Sequence, residues 1–169
     1  LCHPNIIQLV DAGEYQSTYF IAMEFVDGGP LYQTVSEKGK LNPAETMNIL
    51  KQIAVALEHT ESRNMIHRDL KPANILVGKY GSTKLKDFGK ARWLEQSGMI
   101  SLTQSSTGPN DMVFMSPEMV YNPGAVDRRS DIYSLGALGI YCLTGQPPFP
   151  TKNLATLIQT IRNEDPAFF

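Results

Sequence analysis

The segment "MIHRDLKPANIL", residues 65–76, contains the residue types that proton transfer and metal binding require. It places four ionisable side chains within the five residues from His67 to Lys71, with apolar residues on both sides. Asp69 and Asn74 are five residues apart in a stretch that we expect to be a loop between a helix and a strand. At that spacing the carboxylate could accept a proton while the amide oxygen ligates a divalent cation.

A second acid follows in the tripeptide "DFG", where Asp87 is two residues before Gly89, a residue that permits an abrupt backbone turn. Asn74 and Asp87 together supply two oxygen ligands. Such a pair suits Mg²⁺, which proteins usually share with substrate phosphates instead of enclosing it in ligands of their own. Lys71 adds a positive charge two residues from Asp69. The set therefore indicates a proton acceptor and a divalent-cation site with a positive charge beside them.

Each of these residues also has an ordinary structural explanation. A single Asp in a loop commonly forms a turn, and a single Asn commonly satisfies backbone groups. For His67 we prefer the structural explanation, a core histidine that packs while Asp69 performs the chemistry. The spacing of the whole set is what favours a functional site.

The first third of the chain predicts two strands and a short helix. Residues 6–26 alternate between apolar runs and the polar turn "DAGEYQST", which indicates a hairpin whose loop contains Gly13. The following "DGGP", residues 27–30, is expected to stop the second strand. A short helix is expected over residues 31–38.

The clearest helix prediction covers residues 41–65. Asn42 is a suitable N-cap, Pro43 fits the first helical position, and Glu45 falls where the acid of a capping box belongs. One face of this helix is apolar at helical spacing. Its members are Met47, Leu50, Ile53, Ala54 and Leu57.

The rest of the chain predicts two short strands over residues 75–77 and 83–86, then a long polar loop over residues 90–115. Residues 130–145 predict a helix that is apolar on almost every side, as expected in the middle of a core. Residues 153–163 predict a final amphipathic helix. Its apolar face comprises Leu154, Leu157, Ile158 and Ile161.

The composition excludes several classes of protein. The apolar fraction of 42% and the charged fraction of 19% are ordinary for one globular domain. A net charge of −2 gives no electrostatic sign of a nucleic-acid partner. No apolar run reaches the roughly 18 residues that span a bilayer. Cys2 and Cys142 lie at opposite ends of the chain, which favours a reducing compartment, and we expect a cytoplasmic location.

The motifs as a set resemble those of a eukaryotic-type serine/threonine protein kinase catalytic domain. "HRDLKPAN" is followed 13 residues after Asn74 by "DFG", and "PE" comes 28 residues after Gly89. "HPNIIQL" resembles the segment between the αC helix and the fourth strand of such a kinase. "YFIAMEFVDGG" resembles the fifth strand and hinge, "SPE" the end of the activation segment, and "SDIYSLG" the buried αF helix.

The resemblance implies an α+β fold in which two N-lobe strands and a hinge, residues 1–26, precede a mostly helical C-lobe, residues 27–169. The catalytic loop would be residues 67–74 and the activation segment residues 87–118. The chain lacks an initiator Met and any match to the glycine-rich loop, the β3 Lys or the αC Glu. We therefore expect a kinase domain truncated at both ends.

The resemblance also implies ATP and Mg²⁺ as cofactors and a protein with a serine or threonine acceptor as the substrate. Asp69 would orient and deprotonate the acceptor hydroxyl, and Lys71 would contact the γ-phosphate. Asn74 and Asp87 would hold the metal ions. The spelling "DLKPAN" resembles the serine/threonine pattern more than the tyrosine one.

For the adenine, Met23 would be the gatekeeper, the backbone of Glu24 and Val26 would bond the adenine edge, and Leu76 would form the floor. Three further residues would stack as a regulatory spine anchored by Asp131. They are Leu9, His67 and Phe88.

Arg68 next to the catalytic acid implies regulation, because a buried Arg needs an anion and an activation-loop phosphate would supply it. Several residues could carry that phosphate, and the sequence does not choose among them. They are Thr103, Ser105, Ser106 and Thr107.

Two positions depart from the family pattern. Before "DFG" the family usually has a small or apolar residue, whereas this chain has Lys86, which could contact phosphate or pair with a nearby acid. Three residues before Phe114 the family usually has a Thr that bonds the catalytic acid, and counting without gaps gives Asp111. A carboxylate there would repel Asp69 unless Lys71 lies between them. With an insertion, Thr107 would take the place instead.

The sequence therefore supports two functions. The first is ATP-dependent phosphoryl transfer to serine or threonine hydroxyls of proteins, with the isolated 169-residue chain inactive. The second is a pseudokinase or kinase remnant that binds a protein partner without catalysis. The complete set of polar residues in "HRDLKPAN" and "DFG" favours the first function.

Overall fold

A computed structural model describes residues 1–88, 109–149 and 153–163. Strands β1 (Leu9–Tyr15) and β2 (Thr18–Met23) form an antiparallel hairpin. Strands β3 (Gly28–Pro30), β4 (Ile75–Gly78) and β5 (Thr83–Leu85) form a second antiparallel sheet in the order β3-β4-β5. The strands are therefore divided between two small sheets.

Six helices accompany these sheets in the part of the chain that the structure describes. The two that precede β4 are α1 (Leu31–Lys38) and α2 (Pro43–Glu61). The later four are α3 (Pro109–Met112), α4 (Pro117–Tyr121), α5 (Arg128–Thr144) and α6 (Leu154–Asn163). Short 3₁₀ turns cover Pro72–Asn74 and Pro123–Ala125. None of the described helices is long and apolar enough to cross a membrane.

The hairpin turn is shorter than predicted and lies at the end of the segment "DAGEYQST". Gln16 and Ser17 form it, with φ angles of 47° and 60°, and a two-residue turn of this kind matches the twist of the strands that it joins. Gly13 lies inside β1 opposite Phe20, so its placement in the hairpin loop was wrong. A Cβ at Gly13 would come within 3.0 Å of the Phe20 ring, which explains a glycine there.

The segment "DGGP" does not only end a strand, because Gly28–Pro30 forms β3 and pairs with β4. A Cβ on Gly28 would lie 2.0 Å from the carbonyl oxygen of Val77. The absence of a side chain therefore allows the two backbones to approach each other. Asn5 and Ile7 extend this sheet by exchanging backbone hydrogen bonds with Leu85, each 2.8 Å long.

Helix α2 begins as predicted, with the Asn42 side chain accepting from the backbone N–H of Glu45 at 2.9 Å in a complete capping box. Its buried face is rotated from the predicted one, and Met47 is exposed. The residues that α2 buries are Thr46, Ile49, Ile53, Ala56, Leu57 and Thr60. Two polar members, Thr46 and Thr60, replace Met47 on the face.

Helix α5 packs against α2 and supplies the centre of the helical core. Leu138 and Cys142 are completely buried, whereas Ile132 and Leu143 are exposed on the other side. Burial on every side, as the sequence suggested, is therefore wrong for this helix. Its end follows from Gly145, which adopts the left-handed conformation, with a φ of 74°, that commonly stops helices.

Helix α6 buries Leu157 and Ile161, two of the four residues predicted for its apolar face, and half-buries Ile158. The side chain of Leu154 is outside the described part. Tyr121 at the end of α4 donates its hydroxyl to the carbonyl of Ile158, and Arg162 lies over the Tyr121 ring. Helix α4 is thereby joined to α6.

Two leucines of α5 offer a matched test of this core. Leu138→Ala should lower the free energy of unfolding by about 2–5 kcal/mol because it leaves a cavity at a fully buried position. Leu143→Ala, at a position 43% exposed, should cost less than about 1 kcal/mol. Urea denaturation of both variants measures the difference, and equal losses would contradict the packing described.

Candidate active site

The catalytic-loop candidates depend on one buried carboxylate of α5. Asp131 accepts hydrogen bonds from the backbone N–H groups of His67, at 2.8 Å, and Arg68, at 2.9 Å. Arg68 has a φ of 63°, in the left-handed region that costs free energy for a residue with a side chain. The two bonds to Asp131 stabilise that conformation. Burial raises the pKa of Asp131, and the two backbone donors oppose the rise.

His67 is a buried structural histidine, as predicted. Its Nε2 is 3.0 Å from the carbonyl of Lys86, and its Nδ1 accepts from the backbone N–H of Asp69 at 3.2 Å. This pattern assigns the proton to Nε2, and burial lowers the pKa of His67, so the ring is neutral near pH 7. The Phe88 ring contacts it edge-on at 4.6 Å.

The three residues predicted for the spine are His67, Phe88 and Leu9. His67 and Phe88 are in contact, whereas Leu9 on β1 is more than half exposed. Stacking of Leu9 on them stays a prediction. Asp131, the predicted anchor of this spine, accepts a hydrogen bond from the backbone N–H of His67.

Asp69 and Asn74 lie together. The Nδ2 of Asn74 donates to the backbone carbonyl of Asp69, at 2.8 Å, and to its carboxylate oxygen Oδ2, at 2.9 Å. The short 3₁₀ turn that begins at Pro72 brings the amide back to the carboxylate. Because the amide nitrogen is the donor, Oδ1 of Asn74 is the atom suited to a metal ion.

Lys71 lies between two carboxylates. Its Nζ is 2.8 Å from Oδ2 of Asp111 and 3.4 Å from Oδ1 of Asp69. Burial alone would lower the pKa of Lys71, but the hydrogen bond to Asp111 and the charges of both acids outweigh it, and the pKa is raised. Lys71 is therefore charged, and it separates Asp111 from Asp69. The alternative residue, Thr107, is outside the described part.

A backbone hydrogen bond connects the segment directly before Asp87 to Asn74. The N–H of Lys86 donates to the carbonyl of Asn74 at 2.9 Å, so the residues before "DFG" are hydrogen bonded to the residue that ends the catalytic loop. Of the two roles considered for Lys86, the structure shows pairing with an acid, since its Nζ is 2.8 Å from Oδ2 of Asp87. Asp87 has a φ of 66°, a sharp local turn, while Gly89 is outside the described residues.

The oxygen atoms of Asn74 and Asp87 fit a hard divalent cation such as Mg²⁺. The described residues contain no group of three or more His, Cys, Asp or Glu side chains that could hold a metal by themselves. A cation here would therefore take its remaining ligands from water and substrate phosphates.

The residues predicted to bind the adenine lie at the end of β2, in the segment that follows β2, and in β4. Met23 ends β2 and is 44% exposed, and Leu76 lies in β4, opposite Pro30 of β3. Between them, the N–H of Glu24 donates to Gln8 at 2.9 Å, and the carbonyl of Val26 accepts from Gly28 at 2.9 Å. Of these residues, Leu76 is two residues after Asn74, at the end of the loop of residues 67–74.

Sequence reasoning missed the side chain of Glu24, whose backbone alone was assigned a role. Its carboxylate accepts from Lys84 at 2.7 Å and from the N–H of Gln8 at 2.8 Å. The bond from Lys84 lowers the pKa of Glu24, although partial burial opposes this. Lys84 is 60 residues away along the chain, so no local pattern could have indicated the pair.

The charge state of His67 gives a pH-dependent prediction. The unfolded state binds a proton below about pH 6.5 while the folded state, with its lowered pKa, does not. The free energy of unfolding should therefore fall as the pH drops below 6.5, by up to about 1.4 kcal/mol per unit from this group.

Denaturation of the wild type and of His67→Gln between pH 5.5 and 7.5 measures this contribution, because groups common to both proteins cancel. The variant should show a shallower loss on the acid side and the same slope above pH 7. Equal acid slopes would mean that His67 is not a buried neutral group.

Comparisons with known proteins agree with this geometry. Residues 1–167 match the family model of the protein kinase domain. The chain is 34% identical over 168 residues to serine/threonine-protein kinase PrkC of Bacillus subtilis, which covers 99% of this chain and 25% of that protein. It is 41% identical over 149 residues to a probable serine/threonine-protein kinase PknB of Lactococcus lactis, covering 88% of this chain and 23% of that one.

A third relative, serine/threonine-protein kinase PknB of Mycobacterium tuberculosis, is 35% identical over 170 residues, or 98% of this chain and 27% of its own length. The chain thus spans about a quarter of the length of these relatives. The kinase fold that the motifs predicted is confirmed, and the chain belongs to the protein kinase domain family.

Proposed function

We propose that the protein transfers the γ-phosphoryl group of ATP to serine or threonine hydroxyls of protein substrates. The observation that carries this proposal is the bonded group of Asp69, Lys71 and Asn74, held in place by Asp131. It combines a carboxylate that can accept a proton, a charged amine and an amide oxygen within one short loop. Phosphoryl transfer needs these groups, because its catalysis is mainly positioning and charge stabilisation.

In this proposal the Asp69 carboxylate accepts the proton of the substrate hydroxyl, and Asn74 orients that carboxylate through Oδ2. Lys71 binds a terminal phosphate oxygen. Oδ1 of Asn74 and the carboxylate of Asp87 would hold Mg²⁺. Neutralisation of charge on the phosphate oxygens is what the cation supplies when bound.

The nucleotide base would lie beside Met23 and Leu76, with the backbone of Glu24 and Val26 bonding its edge. Residues 1–26 would then act as the N-lobe strands and hinge, and residues 27–169 as the C-lobe. A protein acceptor, not a nucleic acid, agrees with the net charge of −2. A cytoplasmic location agrees with the two cysteines, both described and both unpaired.

A pseudokinase that binds a protein partner is the second candidate. The ion pair between Lys86 and Asp87 favours it, because a positive charge 2.8 Å from a metal-binding carboxylate opposes cation binding. Regulation through Arg68 remains part of the first proposal. The four residues proposed to carry the phosphate are outside the described part.

Substitution of the proposed base separates the two functions. In the full-length protein, Asp69→Asn should lower phosphate transfer from ATP to a protein substrate by at least about 100-fold, the lower range for loss of a general base. Binding of ATP should change far less, since Asp69 contacts the acceptor. Asp11→Asn, on the exposed strand β1, is the matched control and should retain wild-type activity.

Radiolabelled transfer followed by phosphoamino-acid analysis measures both the rate and the acceptor. Phosphoserine or phosphothreonine that disappears with Asp69→Asn supports the proposal. A wild-type protein that transfers no phosphate would favour the binding module instead.

The 169-residue chain expressed alone should transfer little or no phosphate. These residues include no match to a glycine-rich phosphate loop, a β3 Lys or an αC Glu, which such transfer uses. The same labelled assay, with Asp69→Asn as the background, tests this. Transfer by the 169 residues that is lost in the variant would prove the expectation wrong.

A further inference from the structure

We propose that Asp111 is a positioning residue that shares the charge of Lys71 with Asp69 and thereby weakens binding of the terminal phosphate of the nucleotide. The inference rests on the proposed function, because it assigns Lys71 to that phosphate. The distances support it directly. Lys71 is nearer to Asp111, 40 residues away, than to Asp69, two residues away.

The burial of the pair makes the interaction strong. The Lys71 side chain is 9% exposed and that of Asp111 is 31% exposed, so water screens their attraction only partly. Two carboxylates and one ammonium leave this group of three residues with a net negative charge. A phosphate that approaches Lys71 must therefore compete with Asp111 for the ammonium and is repelled by its carboxylate.

The same contact keeps Lys71 away from Asp69. At 3.4 Å, the Lys71–Asp69 contact is longer than a normal charge-assisted hydrogen bond. Without a negative charge at position 111, Lys71 can close on Asp69 and occupy an oxygen that would otherwise accept the hydroxyl proton. Asp111 thus weakens phosphate binding and limits the approach of Lys71 to the Asp69 carboxylate.

Loss of the charge should therefore lower KM for ATP and kcat together. A purely structural role predicts a different result, a smaller active fraction with unchanged KM. The fold around Asp111 does not depend on the ion pair alone, since Met112, Val113 and Phe114 directly after it are buried in the core. Neutral substitutions should consequently leave a folded protein.

The experiment uses the full-length protein with Asp111→Asn and Asp111→Glu, and measures calorimetric affinity for ATP and ADP with Mg²⁺ together with initial rates. Asp111→Asn should bind ATP about three- to tenfold more tightly, as expected when one charge near a phosphate is removed. Affinity for ADP, which lacks that phosphate, should change less than about twofold by the same reasoning. The kcat should fall, and Asp111→Glu should retain the wild-type ratio of affinities.

Glu58→Gln is the control, because it removes the same charge from the exposed side of α2. An unchanged ratio of ATP to ADP affinity in Asp111→Asn would overturn the inference, as would weaker ATP binding. The ratio does not require catalysis. A wild-type protein that binds ATP but transfers no phosphate would overturn the proposed function and leave this ratio to decide the inference.

Discussion

The site depends above all on the buried carboxylate of Asp131. A charge inside the core is costly unless it is fully hydrogen bonded, and Asp131 accepts the N–H groups of His67 and Arg68 in return. Those two bonds fix a strained backbone turn at Arg68, directly before Asp69. The loop of the candidate site is thereby attached to α5, which supplies the centre of the helical core, so it takes its rigidity from that helix and not from its own short sequence.

A second constraint comes from the sheet of β3, β4 and β5. β4 begins at the residue after Asn74, and β5 ends two residues before Asp87. Because the two strands are antiparallel and adjacent, the strand ends next to Asn74 and Asp87, the two proposed oxygen ligands, lie at the same end of the sheet. The hydrogen bond from the N–H of Lys86 to the carbonyl of Asn74 continues the pairing of β4 and β5 at that end of the sheet. Two motifs 13 residues apart in the sequence thus become neighbours through a ladder of only a few residues.

The sequence correctly predicted features that depend on residues close together in the chain. The cap at Asn42 and the spacing of Asp69, Asn74 and Asp87 were both readable, because each concerns residues close together in the chain or a motif whose spacing is specific. Met47 and Gly13 were misassigned for the opposite reason. Which side of α2 is buried depends on how it meets α5, and the position of the hairpin turn depends on the pairing of Gly13 with Phe20. From the sequence, a position of Lys71 between Asp69 and Asp111 could be given only as the condition under which the two carboxylates do not repel each other. The reason is that 40 residues separate Lys71 from Asp111.

The charges of the described site also bear on the form in which the proposed nucleotide would bind. Three carboxylates, those of Asp69, Asp87 and Asp111, face only two ammonium groups, those of Lys71 and Lys86, and both ammonium groups are already paired. A polyphosphate alone would add more negative charge to a group that has an excess of it, at short range and with partial burial. In the proposed function, a divalent cation that arrives with the phosphate would reverse that balance, because it would bring two positive charges to the oxygens of Asn74 and Asp87. In the proposed function, such a site would favour a metal–nucleotide complex over the bare nucleotide once the cation displaces Lys86 from Asp87, to which Lys86 is paired at 2.8 Å.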